Sequence, residues 1–352
     1  MHRRTFLTGL GGLAATGAAR AGVATARANI RNTSATPPRK VVVATVIADL
    51  WGNYPGLSQR LELLAGLVDR MAEQSHNKYG SGPDLAILPE VAVSGDAGKA
   101  VAACAIPLEG RLQEAFSRAA RAHHCYIVAP TYLLETNGKQ CSNAAILFDR
   151  SGAVAGVYRK AHLVVDPDGE SMERGSTPGM SVPVFQCDFG KLGMQICYDI
   201  EFDHGWNELA RQGCELVAWP SQSPQTATPA FRAMANQCYI VSSTWRHNAS
   251  IFEPTGRIAA QIRPPESVLA YRLDLSYAIL PWTAKLRNGE ALGSKYADRV
   301  GFHYYEDEDR GIFWSNDPAT TVREMVRSIG LEEQHEQLAR VAQVYRKAGV
   351  EE

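Results

Sequence analysis

The chain has 352 residues, of which 45% are hydrophobic, so it is long and apolar enough for one large core or two smaller ones and does not have the composition of a disordered protein. Its 36 basic and 37 acidic residues give a formal net charge of -1, which excludes the strongly basic surface typical of nucleic-acid or anionic-membrane binding. We therefore expect a small molecule as the partner.

The first 28 residues differ from the rest because they contain no acidic residue and are rich in Ala, Gly, Thr and Arg. Arg3-Arg4-Thr5-Phe6-Leu7 resembles a twin-arginine export signal, and Ala26-Arg27-Ala28 matches a small-residue cleavage site. We expect residues 1–28 to be a signal peptide, residues 29–40 to be a linker, and the mature protein to be periplasmic. A disordered basic arm is the alternative interpretation. No later apolar run is long enough for a membrane-spanning helix.

Strands and helices alternate in the first half of the chain. The β-branched run 41–47 predicts a strand buried on both faces, and the helical spacing of apolar residues over 57–71 predicts a helix. The further predicted elements are a strand at 85–88, a helix at 113–122, a strand at 126–129, and a hairpin that joins 144–148 to 153–158. This alternation indicates an α/β layered fold.

The second half begins with another predicted hairpin, which joins 182–187 to 192–196. The elements expected after it are a helix at 206–212 and strands at 216–219, 239–243 and 268–273. Past Asp274 we expect an irregular stretch and then helices at 319–329 and 331–348. Packing on the domain, packing on a second subunit and a solvated cap are all compatible with this tail.

Three polar residues interrupt apolar runs at the ends of predicted strands: Glu90, Lys160 and Cys197. In an open α/β sheet, catalytic groups gather beyond the carboxyl ends of the strands, so residues far apart in sequence can converge there. Taken singly, each has an ordinary alternative: a surface carboxylate, a solvated lysine and a packed cysteine. The seven cysteines of the chain have neither C-x-x-C nor metal-ligand spacing, which argues against a disulfide framework or a zinc site.

Together the three residues resemble the nitrilase superfamily of carbon-nitrogen hydrolases. The likeness rests on Leu88-Pro89-Glu90, Tyr158-Arg159-Lys160-Ala161-His162-Leu163 and Ile196-Cys197-Tyr198-Asp199, in that order, and it extends from about Val41 to Asp274. It implies a four-layer αββα sandwich of two mixed sheets. We expect a hydrolase domain at 41–280 and, from the change of pattern in the tail, a C-terminal extension with helices at 281–352. The likeness also implies a homodimer or a higher homo-oligomer.

The resemblance assigns a role to each residue. Cys197 is the nucleophile that forms a thioester, and Glu90 is the general base that an unassisted thiol requires. Lys160 and the backbone N–H of Tyr198 stabilise the oxyanion. The expected reaction therefore needs no metal and no organic cofactor.

The family often adds a second glutamate between the lysine and the cysteine. Glu173 lies nearly at the family offset before Gly179, and Glu170 is the alternative. The chain departs from the family after the nucleophile, because Asp203-His204 stands where relatives commonly have Pro-Glu.

The expected substrate is an amide or an N-carbamoyl compound. A nitrile hydrolase, an acyltransferase and a non-catalytic binding protein of the same fold are the alternatives. The loop at 221–228 is expected to shape the pocket that decides among substrates.

Overall fold

A computed structural model describes residues 33–52, 54–95, 100–167 and 169–350. The predicted signal peptide, residues 1–28, lies outside the described residues. The helices are α1 (Leu57–Tyr79), α2 (Arg111–His123), α3 (Asp203–Arg211), α4 (Ala227–Asn236), α5 (Glu290–Tyr296), α6 (Val322–Ser328) and α7 (Gln334–Lys347).

The strands fall into two large sheets and one small sheet. They are β1 (Lys40–Val46), β2 (Leu85–Ile87), β3 (Ile106–Pro107), β4 (Tyr126–Leu134), β5 (Cys141–Phe148), β6 (Val154–Arg159), β7 (Val184–Gln186), β8 (Lys191–Met194), β9 (Leu216–Pro220), β10 (Tyr239–Ser243), β11 (Ala249–Phe252), β12 (Ile258–Ile262), β13 (Val268–Asp274), β14 (Tyr277–Pro281), β15 (Val300–Tyr305) and β16 (Arg310–Ser315).

The two large sheets are both mixed. The first has the order β13-β1-β2-β4-β5-β6, with β3 added beside β4, and β1, β2 and β4 run parallel. The second has the order β12-β11-β10-β9-β8-β7, with β8, β9 and β10 parallel. Helices α1 and α2 pack on the first sheet, and α4 packs on the second beside α3. The predicted four-layer αββα sandwich is confirmed.

The core between the sheets explains why the strand sequences are continuously apolar. Every residue of β1 after Lys40 is buried, because the helical layer covers one face of the strand and the second sheet covers the other. Val43 and Ile87 of the first sheet and Met194 and Val241 of the second are fully buried in the same cluster. Burial of each such side chain stabilises the fold by roughly 1.5–3 kcal/mol.

Both predicted hairpins are confirmed. Strands β5 and β6 pair antiparallel, and so do β7 and β8. Strand β6 therefore runs in the same direction as β4, since each is antiparallel to β5. This direction matters for the site, because it brings the carboxyl end of β6 to the same end of the sandwich as that of β2.

The tail after Asp274 is more ordered than the sequence predicted. The stretch expected to be irregular contains β14, β15, β16 and α5, and the three strands form a sheet of the order β14-β16-β15. Every second residue of β15 packs on one apolar cluster of the extension, namely Val300, Phe302 and Tyr304, so the period of two that a strand shows was present in the sequence. The two predicted helices are present as α6 and α7.

The C-terminal extension packs on the domain. Ile312 of the extension is part of the core cluster between the two large sheets, together with Tyr277 and Ile279 of β14, and β14 spans the predicted boundary at residues 280 and 281. The described part of the linker is bound to β14 and to the extension. Thr33 Oγ1 donates to the Tyr277 carbonyl at 2.8 Å, and Ser34 Oγ donates to Glu333. Within the described residues, no helix is both long and apolar enough to cross a membrane.

Candidate active site

The three predicted site residues come together at one end of the sandwich. Glu90 follows β2, Lys160 follows β6 and Cys197 follows β8, so each lies beyond the carboxyl end of its strand. They line one cavity of about 360 Å³, and Glu173 lines it with them. Glu170, the alternative second glutamate, is exposed to solvent and is not part of the cavity wall.

Lys160 is the centre of a buried ionic cluster. Its Nζ donates to Glu90 Oε1 at 2.9 Å and also to Glu173 Oε1. The exposed fractions of Lys160, Glu90 and Glu173 are only 1%, 2% and 8%. Asn143 bridges the two carboxylates, because its Nδ2 donates to Glu90 Oε1 at 2.8 Å and to Glu173 Oε2 at 3.0 Å. The cluster thus holds one ammonium and two carboxylates away from water.

Charge and burial act against each other in this cluster. Burial lowers the pKa of Lys160, but interaction with Glu90, with the Cys197 sulfur and with Glu173 outweighs it and holds that pKa well above its usual value. The two carboxylates therefore favour the charged form of the lysine. Burial raises the pKa of Glu173, and the Glu90 charge raises it further, although Lys160 pulls it down.

Cys197 begins a short 3-10 helix, Cys197–Glu201, directly after β8. Its backbone has φ of 43°, in the left-handed region that residues other than glycine seldom adopt. Trp219 Nε1 donates to the Cys197 carbonyl at 3.1 Å and fixes this turn. Tyr198 is next in the first turn, where backbone N–H groups have no acceptor within the helix and stay available to a ligand.

The thiol of Cys197 is held in its protonated form. Burial raises its pKa to about 12, the Glu90 carboxylate raises it too, and Lys160 and hydrogen bonds to Ser221 and Gln222 counteract only part of this effect. At neutral pH the resting group is a thiol, so attack on a substrate requires proton transfer to a base.

Other residues around the cavity share the unusual backbone of Cys197. Glu173 has φ of 39°, Arg174 of 56° and Val91, next to Glu90, of 45°. Each such residue costs about 1–3 kcal/mol, and clusters of them are typical of functional sites. These backbone conformations lower the stability of the fold, and they orient the side chains around the cavity.

Asp199 supports the nucleophile turn in a way that the sequence did not reveal. This residue is fully buried, and its carboxylate accepts from Tyr158 Oη at 2.8 Å and from the backbone N–H groups of His162 and Ile196 at 2.8 and 3.0 Å. It therefore ties the strand that carries Lys160 to the turn that carries Cys197. The Ile-Cys-Tyr-Asp motif contained this residue but gave no indication of its partners.

Two further contacts to Glu90 were also missed. Asn143 lies just outside the predicted strand 144–148, although β5 in fact begins at Cys141. With β5 beginning at Cys141, Asn143 is a polar residue within a buried strand, and such a residue indicates a hydrogen-bonding role. The backbone N–H of Gln222 donates to Glu90 Oε2 at 3.2 Å, so the loop predicted to shape the pocket also orients the carboxylate.

The departure from the family after the nucleophile has a structural explanation. Asp203 begins α3 and forms an ion pair with the buried Arg232 on α4, whose Nε also donates to the Ile200 carbonyl at 3.0 Å. Asn236 Nδ2 then donates to the Arg232 carbonyl at 2.9 Å. The ion pair between Asp203 and Arg232 joins α3 to α4, and the Asn236 hydrogen bond lies within α4.

The outer part of the cavity carries two arginines, one aspartate and aromatic side chains. The remaining wall residues are Trp51, Tyr132, Val164, Asp166, Arg174, Gln222, Ser223 and Arg246. Arg246 is exposed, and within the described chain its guanidinium has no hydrogen bond or ion pair.

In the described part of the chain, no group of metal ligands converges on this cavity. Among the described residues, one group brings donor atoms close enough to share an ion: Glu333, His335 and Glu336, in the C-terminal extension. Arg323 and Arg327 already form ion pairs with Glu336.

Comparison with known proteins agrees with this geometry. The family model described as carbon-nitrogen hydrolase matches residues 43–280. The omega-amidase NIT2 of Xenopus tropicalis is 27% identical over 248 residues, which cover 62% of this chain and 89% of that protein. The human deaminated glutathione amidase is 28% identical over 200 residues, or 49% of this chain and 60% of that protein.

Solved structures show the same fold. Saccharomyces cerevisiae Nit3, a member of branch 10 of the nitrilase superfamily, gives a TM-score of 0.58 at 22% identity and covers 67% of this chain and 90% of its own. A double mutant of the amidase from Nesterenkonia sp. AN1, in complex with acrylamide, gives 0.57 at 19% identity and covers 67% and 91%. Since the family model matches well over half of the chain, the chain belongs to the carbon-nitrogen hydrolases of the nitrilase superfamily.

Proposed function

We propose that this enzyme hydrolyses the C–N bond of a small amide or N-carbamoyl compound through a thioester on Cys197. The observation that carries the proposal is the convergence of Glu90, Lys160 and Cys197 on one cavity from three separate strands. A nucleophile, a base and a cation within one water-poor cleft are the groups that acyl transfer requires.

In the first half-reaction, the Cys197 proton moves to Glu90 as sulfur attacks the carbonyl carbon. Lys160 and the Tyr198 N–H stabilise the resulting oxyanion, an interaction that typically contributes a few kcal/mol per donor. Glu90 then gives the proton to the leaving nitrogen, the C–N bond breaks, and ammonia or an amine departs from the thioester.

In the second half-reaction, Glu90 takes a proton from water, and the hydroxide formed attacks the thioester carbonyl. The oxyanion forms again at the same donors, and its collapse breaks the C–S bond. The sulfur regains the proton from Glu90, so the net change is an amide and water converted to a carboxylic acid and ammonia or an amine. Glu173 positions Lys160 throughout, through the ion pair between them.

The substrate that the cavity favours carries an acidic group beside the amide. Arg246 and Arg174 line the outer part of the cavity, and a guanidinium recognises a carboxylate through paired N–H donors. The similar proteins named above are amidases, which supports an amide over a nitrile.

The test is the release of ammonia from matched amides, N-carbamoyl amines and nitriles, with Cys197→Ala as the inactive control. A slow amide should leave a mass increase on the wild-type enzyme that maps to Cys197. Normal turnover by folded Cys197→Ala contradicts the mechanism, and an adduct on another cysteine relocates the site. Turnover of nitriles alone, or acyl transfer to an added amine without hydrolysis, contradicts the proposed reaction.

We further propose that the chain is exported to the periplasm by the twin-arginine pathway. Arg3-Arg4 and the small-residue site at Ala26-Arg27-Ala28 support this route. Replacement of both arginines by Lys should retain the protein in the cytoplasm. Export of that variant with an unchanged mature N-terminus contradicts the assignment.

A homo-oligomer formed through the α3–α4 layer is also proposed. Phe231 on α4 is 54% exposed, and Tyr198 and Phe202, just before α3, are 39% and 36% exposed. Exposed aromatic groups on one layer favour association. Phe231→Glu should reduce the mass measured by light scattering, and a wild-type monomer at micromolar concentration contradicts the proposal.

A further inference from the structure

A second cavity, of about 230 Å³, lies at the opposite end of the sandwich from the candidate active site. Lys40 begins β1 and Tyr239 begins β10, and both line this cavity. The catalytic groups instead follow the carboxyl ends of strands parallel to these two. His303 on β15 and Trp314 on β16 form the other wall, so the C-terminal extension closes the cavity.

The cavity contains a buried carboxylate, Glu253, whose hydrogen-bond partners include no lysine or arginine among the described residues. Glu253 is 1% exposed, and its oxygens accept from Thr255 Oγ1 at 2.7 Å and from the Tyr305 hydroxyl. His303 Nδ1 lies 3.0 Å from Oε2 and forms an ion pair with it only when the imidazole is protonated. Within the described residues, no lysine or arginine forms an ion pair with Glu253. A buried charge is costly unless a partner of opposite sign accompanies it.

The nearby cations are already engaged elsewhere. Lys40 Nζ pairs with Asp274 Oδ2 at 2.9 Å and donates to Asn316 Oδ1 at 2.9 Å. Arg272 donates to the Tyr79 carbonyl at 3.1 Å, and its guanidinium lies 4.5 Å from the centre of the Tyr79 ring. The negative charge of Glu253 is therefore not balanced by either group.

Aromatic side chains complete the walls. Tyr239 is 3% exposed and lines the cavity, and no residue in the described part of the chain hydrogen-bonds to its hydroxyl. Tyr271 and Trp314 add two further aromatic rings. A phenol oxygen accepts a hydrogen bond, and an aromatic face attracts a cation within about 6 Å of its centre.

We propose that this cavity binds a small organic ammonium ion. The N–H groups of such a ligand donate to Glu253 and to the unpartnered Tyr239 hydroxyl, and its charge balances the buried carboxylate. The aromatic rings surround its alkyl part. An anion would face Glu253 where Lys40 and Arg272 are already engaged, and a neutral ligand would bring no positive charge to the carboxylate. This proposal does not depend on the reaction proposed for Cys197.

The experiment is calorimetric titration of the full chain with n-butylammonium chloride, with n-butanol and sodium butyrate as neutral and anionic controls of matched length. The wild-type protein should bind the ammonium and neither control. Glu253→Gln keeps the shape of the side chain and should weaken binding by at least about tenfold, since a charged hydrogen-bond partner is lost. Tyr239→Phe removes only a hydroxyl and should weaken binding by about fivefold.

Absence of butylammonium binding by the wild type, or equal binding of n-butanol, overturns the proposal. Two further results also overturn it. The first is equal binding of butylammonium by the wild type and by both variants. The second is loss of binding when Cys197 is alkylated, because the cation then occupies the candidate active site. If circular dichroism shows that Glu253→Gln does not fold, the Tyr239→Phe comparison decides alone. Absence of amidase activity bears on the proposed function and leaves this binding result unaffected.

Discussion

Replacement of Lys160 by Met tests the charge balance of the buried cluster most directly. The ammonium contacts Glu90 and Glu173, and both carboxylates are held on Asn143. Methionine fills most of the same space without a charge. The variant therefore leaves two buried carboxylates that face each other across one amide group.

The expected loss of stability follows from the distances. Opposite unit charges about 4 Å apart attract each other by about 4 kcal/mol at an effective dielectric constant of about 20. Removal of one partner of a buried ion pair typically costs 3–5 kcal/mol. We expect Lys160→Met to lower the free energy of unfolding by about 3–5 kcal/mol at pH 7.5. Glu173→Gln should cost much less, because it leaves one ammonium with one carboxylate.

The pH dependence gives the sharper test. Burial already raises the pKa of Glu173, and loss of Lys160 removes the charge that lowers it. A carboxyl group whose pKa is raised in the folded state stabilises the fold below its unfolded-state pKa, and this contribution is lost as pH rises through the folded-state pKa. The deficit of Lys160→Met relative to the wild type should therefore shrink as the pH falls from 7.5 to about 5.

Urea unfolding followed by tryptophan fluorescence measures both quantities, with the wild type and Glu173→Gln compared at each pH. Effects of acid on the rest of the protein cancel in these differences. A deficit below about 1 kcal/mol at pH 7.5, or one that grows on acidification, refutes the reasoning.

Other predictions concern the reaction itself. Glu90→Gln should lower kcat/KM by about 10²- to 10⁴-fold and also lower the pKa of the Cys197 thiol, measured by thiolate absorbance; a thiol pKa equal to or above that of the wild type is the contrary result. Since burial raises that pKa to about 12, iodoacetamide labelling of wild-type Cys197, mapped by peptide mass, should still accelerate above pH 9, and a plateau near pH 8 argues against the raised pKa. Arg246→Gln should reduce kcat/KM for an acidic amide by about tenfold but leave a neutral amide of equal length unchanged; equal losses for both indicate a general structural effect. Chelation should leave ammonia release intact, and a loss that added zinc reverses contradicts a mechanism made only of side chains.

The amino-acid sequence alone was sufficient for the principal strands and for the identity of the reactive residues. The mainly β-branched run 41–47 corresponds to β1, because a strand buried on both faces favours apolar residues along its whole length. The strand predicted at 239–243 corresponds to β10. The motifs around Glu90, Lys160 and Cys197 indicated the superfamily before any geometry was available. Each of these signals is contained within a few neighbouring residues.

Contacts between distant segments were decided only in the tertiary structure. Asn143 lies 53 residues from Glu90, and Lys160 lies 70 residues from it, yet all three side chains meet by hydrogen bonds. The cavity beside Glu253 likewise exists only because the C-terminal extension folds back over the domain. Hydrophobic periodicity reports whether a position is buried, whereas the partner of a buried polar group depends on sheet order and chain direction, which no local pattern encodes.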